Sequence, residues 1–379
     1  MARILLISKT TPDIPEHKGV WLKTLHQKAA LESLGHQVQL LYFCQTGFFL
    51  NDSRIKIKNL PYAFLIPSFL LHHIQFCHSI SMVIGLHAFD IVYARYFFSS
   101  PFTWKLWKEI KRAKPHVKMI LEFPTYPYTL EVSGVISSIL MRFEHWFCHR
   151  SVSLFDLLVT IAGKVYVDTI PSLCLENGIE VESYNIKISS FKKRSLRLIA
   201  CGSLWRWYGL DRLIKGMHMY YTGYGSGSLQ VNLDIVGSGP EYSGLRKLVS
   251  QYGLEEYIQF RGPQSDAELN ELFNRADVAV GSLAAFRKNL SRVSALKHRE
   301  FSARGIPFIY ADYDASFAHS FFALKVSPSE DPIDIQTVVL WWEQLILEYG
   351  ENLPDKIRKE ASLQLSWKEQ MKRVLAVVQ

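Results

Sequence analysis

Val231-Asn-Leu-Asp-Ile-Val-Gly-Ser-Gly-Pro240 (VNLDIVGSGP) is an apolar run that enters a glycine turn, and a helical pattern follows from Tyr242 to Tyr252. A strand that hands over to a helix through such a turn is the building unit of a parallel sheet wrapped by helices. The unit recurs on either side. Leu196–Gly202, Val231–Gly237, Ile258–Arg261, Val278–Gly281 and Pro307–Ala311 read as strands, interleaved with helices Asp211–Tyr221, Asp266–Arg275 and Ser294–Arg304. Nearer the start, Arg3–Ser8, Val38–Phe43, Phe89–Tyr93, Lys118–Glu122 and Leu157–Thr160 form a second alternating series. Between its first two strands lies the helical stretch Gly19–Gly35.

Two such series predict an α/β chain of two Rossmann-like doubly wound domains facing across a cleft. The expected bounds are 1–190 and 191–360, with 361–379 a helix crossing back to the first domain. The polar run Ser189–Ser195 reads as the linker, and Thr222–Ser228 as a flexible hairpin-like loop. At 379 residues the chain exceeds one ordinary core. In doubly wound sheets ligands bind outside the carboxyl ends of the strands, so the loops after strands are the places to search for chemistry.

Composition narrows the function classes. Charged residues are 21% and hydrophobic ones 48%, which excludes a disordered or fibrous chain. A net charge of +8, without a dense basic stripe, fits a small anionic ligand or an anionic membrane surface and not nucleic acid. Cys44, Cys77, Cys148, Cys174 and Cys201 are scattered and odd in number, and no signal peptide precedes the first strand; both point to the cytoplasm. His145-x-x-Cys148-His149 lies in a helical apolar pattern without further ligands at zinc spacing, so it reads as helix packing. Asn59–Phe89 carries no Asp, Glu, Lys or Arg, but Pro61, Pro67 and four histidines interrupt it. It reads as half-buried helix that does not span a bilayer.

Val236–Pro240 departs from a nicotinamide-dinucleotide fingerprint, because Tyr242 stands where the third glycine belongs. Lys297 and Glu300 fall at i and i+3 at the start of a helix, where backbone N–H groups gather partial positive charge. There a carboxylate can accept ribose hydroxyls while the lysine and helix end hold phosphates. Met119–Tyr128 (MILEFPTYPY) ends an apolar strand on Glu122 and then stiffens the chain with Pro124 and Pro127.

The second half resembles the nucleotide-binding domain of retaining glycosyltransferases with the GT-B fold, in the large family 4 group. The matching pieces keep the family's order: Gly202-Ser-Leu with Trp207–Ile214, Val236–Pro240, Ile258–Gly262, Glu268–Phe273, Ala276–Ala279 and Glu300–Pro307. In the first half Gly19, Gly35–Val38 and Asn177-Gly-Ile179 agree, and Leu365-Ser-Trp367 resembles the opening of the family's final helix. Arg95-Tyr96, Glu122–Tyr128 and Lys297–Phe301 further resemble a branch of bacterial capsular and exopolysaccharide biosynthesis.

The resemblance implies transfer of a sugar, with retention, from a nucleoside-diphosphate sugar to the hydroxyl of a saccharide or lipid-linked saccharide acceptor. Glu300 matches the second glutamate of the family's Glu-x7-Glu motif, expected on the ribose; the first position holds Arg292 instead. The family's diphosphate-binding arginine and lysine give way to residues near Ser203 and Trp207 or Tyr208, and Arg206, Arg287, Lys288 or Lys297 can replace that charge.

Expected donor-side residues are therefore Glu300, Lys297, Gly202, Ser203, Arg206, Gly237, Gly239, Arg261 and Lys288. Glu122 stands where relatives often carry a histidine facing the reacting sugar, and is the expected catalytic residue. Gly19, Lys23, Arg95, Thr125, Tyr126 and Tyr128 are the expected acceptor-side loop residues. No Asp-x-Asp pair is placed to hold a metal, so no metal or other cofactor is expected. Aromatic, basic helices at Trp104–Arg112 and Ile136–Phe147 suit peripheral contact with an anionic membrane, on the inner face. A nucleotide-sugar epimerase or hydrolase, or a silent nucleotide-sugar-binding protein, are alternatives on the same architecture.

Overall fold

The structure is a computed structural model of the chain and describes every residue except 11–12, 15–16, 58–66, 124–134, 162, 164–169, 189–194, 224–228, 291 and 379. The linker reading and the 222–228 loop fall largely outside the described residues. So do Thr125, Tyr126 and Tyr128. The chain divides into two compact units, Met1–Leu175 with Trp367–Gln379, and Glu176–Ser366.

Unit 1 is built on β1 (Arg3–Ser8), β2 (Gln37–Cys44), β3 (Gly47–Leu50), β4 (Ser53–Ile55), β5 (Ile91–Arg95), β6 (Lys118–Phe123), β7 (Leu157–Ile161) and β8 (Ser172–Leu175). Their order across the sheet is β4-β3-β2-β1-β5-β6-β7-β8, and only the β2-β3-β4 edge runs antiparallel. Helices α1 (Lys18–Ser33), α2 (Ser68–Leu86), α3 (Pro101–Ala113) and α4 (Val135–Val152) come from the same stretch of chain.

Alternation along each strand sends neighbouring side chains into opposite layers. Leu5, Val92 and Leu121 pack with α2 and α3, whereas Leu6, Tyr93 and Ile120 face the other way. Helix α2 is long and apolar enough to cross a membrane, yet His73, Phe76, Ile80 and Val83 are buried in this core. Cys148 is buried while His145 and His149 meet on the exposed side of α4, their Nε2 atoms 3.1 Å apart.

Unit 2 carries β9 (Ser195–Cys201), β10 (Gln230–Val236), β11 (Ile258–Gly262), β12 (Val278–Val280), β13 (Phe308–Tyr310) and β14 (Ala323–Lys325). The order β11-β10-β9-β12-β13-β14 is parallel throughout and reverses direction between β9 and β12. That reversal is the position at which doubly wound sheets open a crevice for ligand. Helices α5 (Leu210–Thr222), α6 (Tyr242–Gln251), α7 (Asp266–Arg275), α8 (Leu296–Ala303), α9 (Ile335–Tyr349) and α10 (Leu353–Gln364) cover the sheet.

The expected strands are present. The largest shift is in β5, which starts two residues later than predicted because Asp90 is occupied with Arg3. Arg95 therefore ends a strand and does not float in a loop. The last helix, α11 (Trp367–Val378), belongs to unit 1 and packs on α1 with Trp367 wholly buried. Trp367→Ala should lower unfolding stability by about 3–5 kcal/mol, read by urea denaturation followed by circular dichroism.

Candidate functional site

In unit 2 the loops leaving β9, β10 and β12 and the start of α8 converge. Gly202 (φ +131°) and Gly237 (φ +120°) occupy backbone conformations open to glycine, and a side chain on Gly237 would overlap the Gly202 carbonyl. Leu204 N–H donates to the Ser238 carbonyl at 2.8 Å, and Glu241 N–H to the Leu204 carbonyl at 3.0 Å. Gly239 backs onto Leu204, where a Cβ would lie 2.5 Å from its nitrogen. The two loops thus cross backbone to backbone, leaving no room for side chains between them.

Lys297, in the first turn of α8, lies over this crossing. Its Nζ is 3.6 Å from the Tyr208 ring centroid and 3.6 Å from where a Gly202 Cβ would stand. Among the described residues it has no hydrogen bond and no ion pair. Burial pushes its ammonium down to about 8, against the pull of Cys201 and Glu300. It is still charged at neutral pH, and it is a cation without a fixed counter-ion at a helix N-terminus.

Glu300, one turn on, is half-buried and pairs with Arg304 at 2.9 Å through Oε1. Arg304 is itself fixed by Asn270 Oδ1 at 2.7 Å and lies over Phe273. The carboxylate is therefore held in place with its other oxygen unbonded among the described residues.

The remaining donor-side expectations divide. Lys288 Nζ lies 3.9 Å over the Trp207 ring, and Trp207 stacks on Trp205 at 4.7 Å, so an aromatic and basic shelf borders the β9 loop. Arg206 and Ser203 stand in that same loop, Arg206 exposed. Arg287 turns inward instead. It grips Asp211 at 2.8 and 2.9 Å and also Glu330, so its charge is already answered. Arg261 Nε bonds Asp234 Oδ1 at 2.6 Å across neighbouring strands.

Arg292, at the position of the missing glutamate, pairs with Glu176, a carboxylate supplied from far earlier in the chain. Arg299 Nη2 lies 3.6 Å from the same Glu176.

Beneath these loops lies a polar network that the sequence reading missed. His298 is wholly buried, with Nδ1 2.9 Å from Asp314 Oδ2 and Nε2 3.2 Å from the Ser282 N–H. The N–H of Ser282 can only donate, which makes Nε2 the acceptor and places the proton on Nδ1. Burial lowers the imidazole's pKa, so the ring stays neutral. Arg299 binds the same Asp314 through both nitrogens of its fork. Asp312 accepts from Ala285 N–H at 2.7 Å, Phe286 N–H at 3.1 Å and Ser282 Oγ at 3.1 Å, and so fixes the loop that bears Lys288.

In unit 1 the expected catalytic Glu122 is entirely buried beneath α1. Lys23 and Gln27 lie one turn apart on the same helix face. Lys23 Nζ donates to Oε1 at 2.8 Å; Gln27 Nε2 and Tyr93 OH both donate to Oε2 at 2.7 Å. Lys23 also lies 5.4 Å over the Trp367 ring. Burial alone would raise the Glu122 pKa, but the charges of Lys23 and Arg95 and the hydrogen bonds from Lys23 and Tyr93 hold it at about 2. Gly19 is exposed in the first turn of α1, away from this cluster in sequence by one helical turn. Among the described residues no group of three or more His, Cys, Asp or Glu side chains is arranged to hold a metal ion.

Residues 183–314 match the family model of Glycosyl transferases group 1. Sucrose-phosphate synthase from Thermosynechococcus elongatus has a similar structure, with TM-score 0.66 and 14% identity, over 99% of this chain and 98% of that one. A glycosyltransferase from Rickettsia africae superposes with TM-score 0.62 and 13% identity, over 100% and 97% of the two chains. Anabaena HepE, solved with UDP, gives 0.60 and 14%, over 99% and 100%. These likenesses show the fold. A search of curated proteins finds no significant match.

Glu122→Gln leaves Lys23 buried without its counter-charge and should lower stability at neutral pH by about 3–5 kcal/mol. Because the folded carboxyl titrates near 2 and the unfolded one near 4.5, the wild-type contribution is complete above about pH 4.5 and fades as pH falls toward 2. Urea midpoints measured across that range should slope in the wild type and lose that component in the variant.

Proposed function

We propose that this chain, a GT-B glycosyltransferase carrying a group 1 domain in residues 183–314, transfers a sugar from a nucleoside-diphosphate donor to an acceptor hydroxyl, with retention and without a divalent metal. The observation that carries the donor assignment is Lys297. An ammonium unpaired among the described residues, at a helix N-terminus and over a backbone crossing that admits no side chains, suits a diphosphate in close approach. Lys288 and Arg206 add charge along the Trp205–Trp207 shelf. Glu300, steadied by Arg304, offers its free oxygen to ribose hydroxyls.

This arrangement supports charge balance by protein cations rather than by a metal. HepE and its complexes with UDP and UDP-glucose offer a parallel for the donor class. Glu176, paired with Arg292, brings a carboxylate to the place where the resemblance leaves one missing.

Glu122 acts in this reading as a positioning residue. Both its oxygens are occupied, and a carboxylate whose acid has a pKa of about 2 is a poor base at neutral pH. It orders Lys23, Tyr93 and Gln27 at the carboxyl end of the first sheet.

The acceptor is a saccharide or lipid-linked saccharide of surface polysaccharide or glycoconjugate synthesis, met by a cytoplasmic enzyme at the inner face of the membrane. Phe98 just before α3, Phe102 in its first turn, and Phe143 and Trp146 on α4 are exposed, and the two helices pack together. Arg150 lies 3.8 Å over Trp146 and Lys108 4.8 Å over Trp104, the pairing of rings and cations that suits an anionic lipid surface.

Isothermal titration with UDP tests the donor site. Lys297→Ala and Glu300→Ala should each weaken binding about tenfold or more, and transfer should survive EDTA. Because Lys297 loses its proton near pH 8, affinity should fall as pH rises above that value, and the fall should vanish in Lys297→Ala. Equal affinity in wild type and both variants would remove the assignment. Sedimentation with vesicles of anionic lipid should capture the wild type at low salt and release the Phe143→Ser/Trp146→Ser double variant.

A further inference from the structure

Among the described residues, Arg95 is the cation of the unit 1 cluster for which no hydrogen bond is found. Arg95 and Glu122 are register partners on adjacent parallel strands, so their side chains share a face. Tyr93, two residues back, lies on that face too and bonds Glu122. Yet the donors to Glu122 are Lys23, Gln27 and Tyr93. Arg95 makes no ion pair within salt-bridge distance among the described residues, and its Nη1 is buried without a hydrogen-bond partner. Two cations thus flank one carboxylate, and that carboxylate is already neutralised by Lys23.

A guanidinium nitrogen deprived of both water and an acceptor is strongly unfavourable. Proteins retain such a group where something else supplies the acceptor. Arg95 as a whole is partly exposed although its Nη1 is buried, so an anion has to approach from the exposed side of the guanidinium. Its planar geometry suits the paired oxygens of a phosphate or carboxylate. The location is the carboxyl end of β5, next to the point where the order of this sheet reverses between β1 and β5.

We infer that Arg95 is the anchor of an oxyanion site in unit 1, and that the acceptor carries a phosphate or carboxylate group. The inference rests on the glycosyl-transfer reading for the word acceptor, but not for the site itself. One chemistry, a pair of anionic oxygens, is shared by two sources: the phosphate of a lipid-linked or phosphorylated acceptor, and the carboxylate of a uronic acid residue.

The test uses the full chain carrying Lys297→Ala, so that the unit 2 ammonium contributes nothing, and titrates it calorimetrically with inorganic pyrophosphate and with glucuronate. At least one probe should bind, more weakly as salt rises, and Arg95→Gln should reduce that affinity tenfold or more. Arg95→Lys, which keeps the charge without the fork, should recover only part of it. Pyrophosphate binding alone identifies the phosphate source, glucuronate alone the uronate.

Stability separates this role from a merely structural one. With no anion added, Arg95→Gln should fold and melt close to the wild-type temperature, because the burial cost of Arg95 and its attraction to Glu122 oppose each other. A much lower melting temperature, failure to fold, binding of neither probe, or equal binding in Arg95→Gln would each overturn the inference. UDP titration of Arg95→Gln with Lys297 intact should match the wild type. Should UDP fail to bind even the wild type, the transfer reading falls while the Arg95 result stands on its own.

Discussion

Where the Gly237 α-carbon meets the Gly202 carbonyl there is no space for even one methyl group. That contact sets how closely the β9 and β10 loops approach, and the surrounding site is arranged around it. Leu204 and Glu241 lock the loops with main-chain hydrogen bonds, so the crossing is rigid before any side chain is considered. Lys297 then fills the volume above Gly202 that a larger residue would occupy. Backbone sterics, more than side-chain recruitment, decide where the charge of Lys297 sits in unit 2.

Unit 1 solves the opposite problem. It places an ionised carboxylate in a core otherwise made of Leu6, Ile120, Val159 and their neighbours. Ionisation in such surroundings survives only with donors on every oxygen and a compensating charge nearby. Helix α1 supplies both from a single face, and α11 closes the cluster with Trp367. The last helix of the chain is therefore part of the environment of a residue in the first sheet, which ties the order of unit 1 to the start of α11.

The fold was legible because its signals are local. Apolar runs, glycine turns and helical spacing placed most of the strands and brought Lys297 and Glu300 to the start of one helix. What was not legible depends on burial and on distant partners. Nothing near Glu122 announces Lys23 and Gln27, which stand 99 and 95 residues earlier. Arg287 reads as a candidate for phosphate, yet Asp211 and Glu330 claim it once the chain folds. His298 sits in the very helix singled out by the sequence, but its partner Asp314 and the Ser282 N–H lie 16 residues away on either side. Local pattern finds elements and their termini; it does not say which charges have already been answered.

Asp312 and Asp314 stand two residues apart on one extended segment beyond β13. The first holds the backbone at 285 and 286, and the second holds α8 through His298 and Arg299. Mechanically this short segment is a splice between two otherwise separate pieces of chain. A force applied to the loop bearing Lys288 is carried, through two carboxylates and two peptide links, to the helix bearing Lys297 and Glu300. Unit 2 therefore holds the loop of Lys288 and the start of α8 as a single stiff part, and any adjustment to one is transmitted to the other.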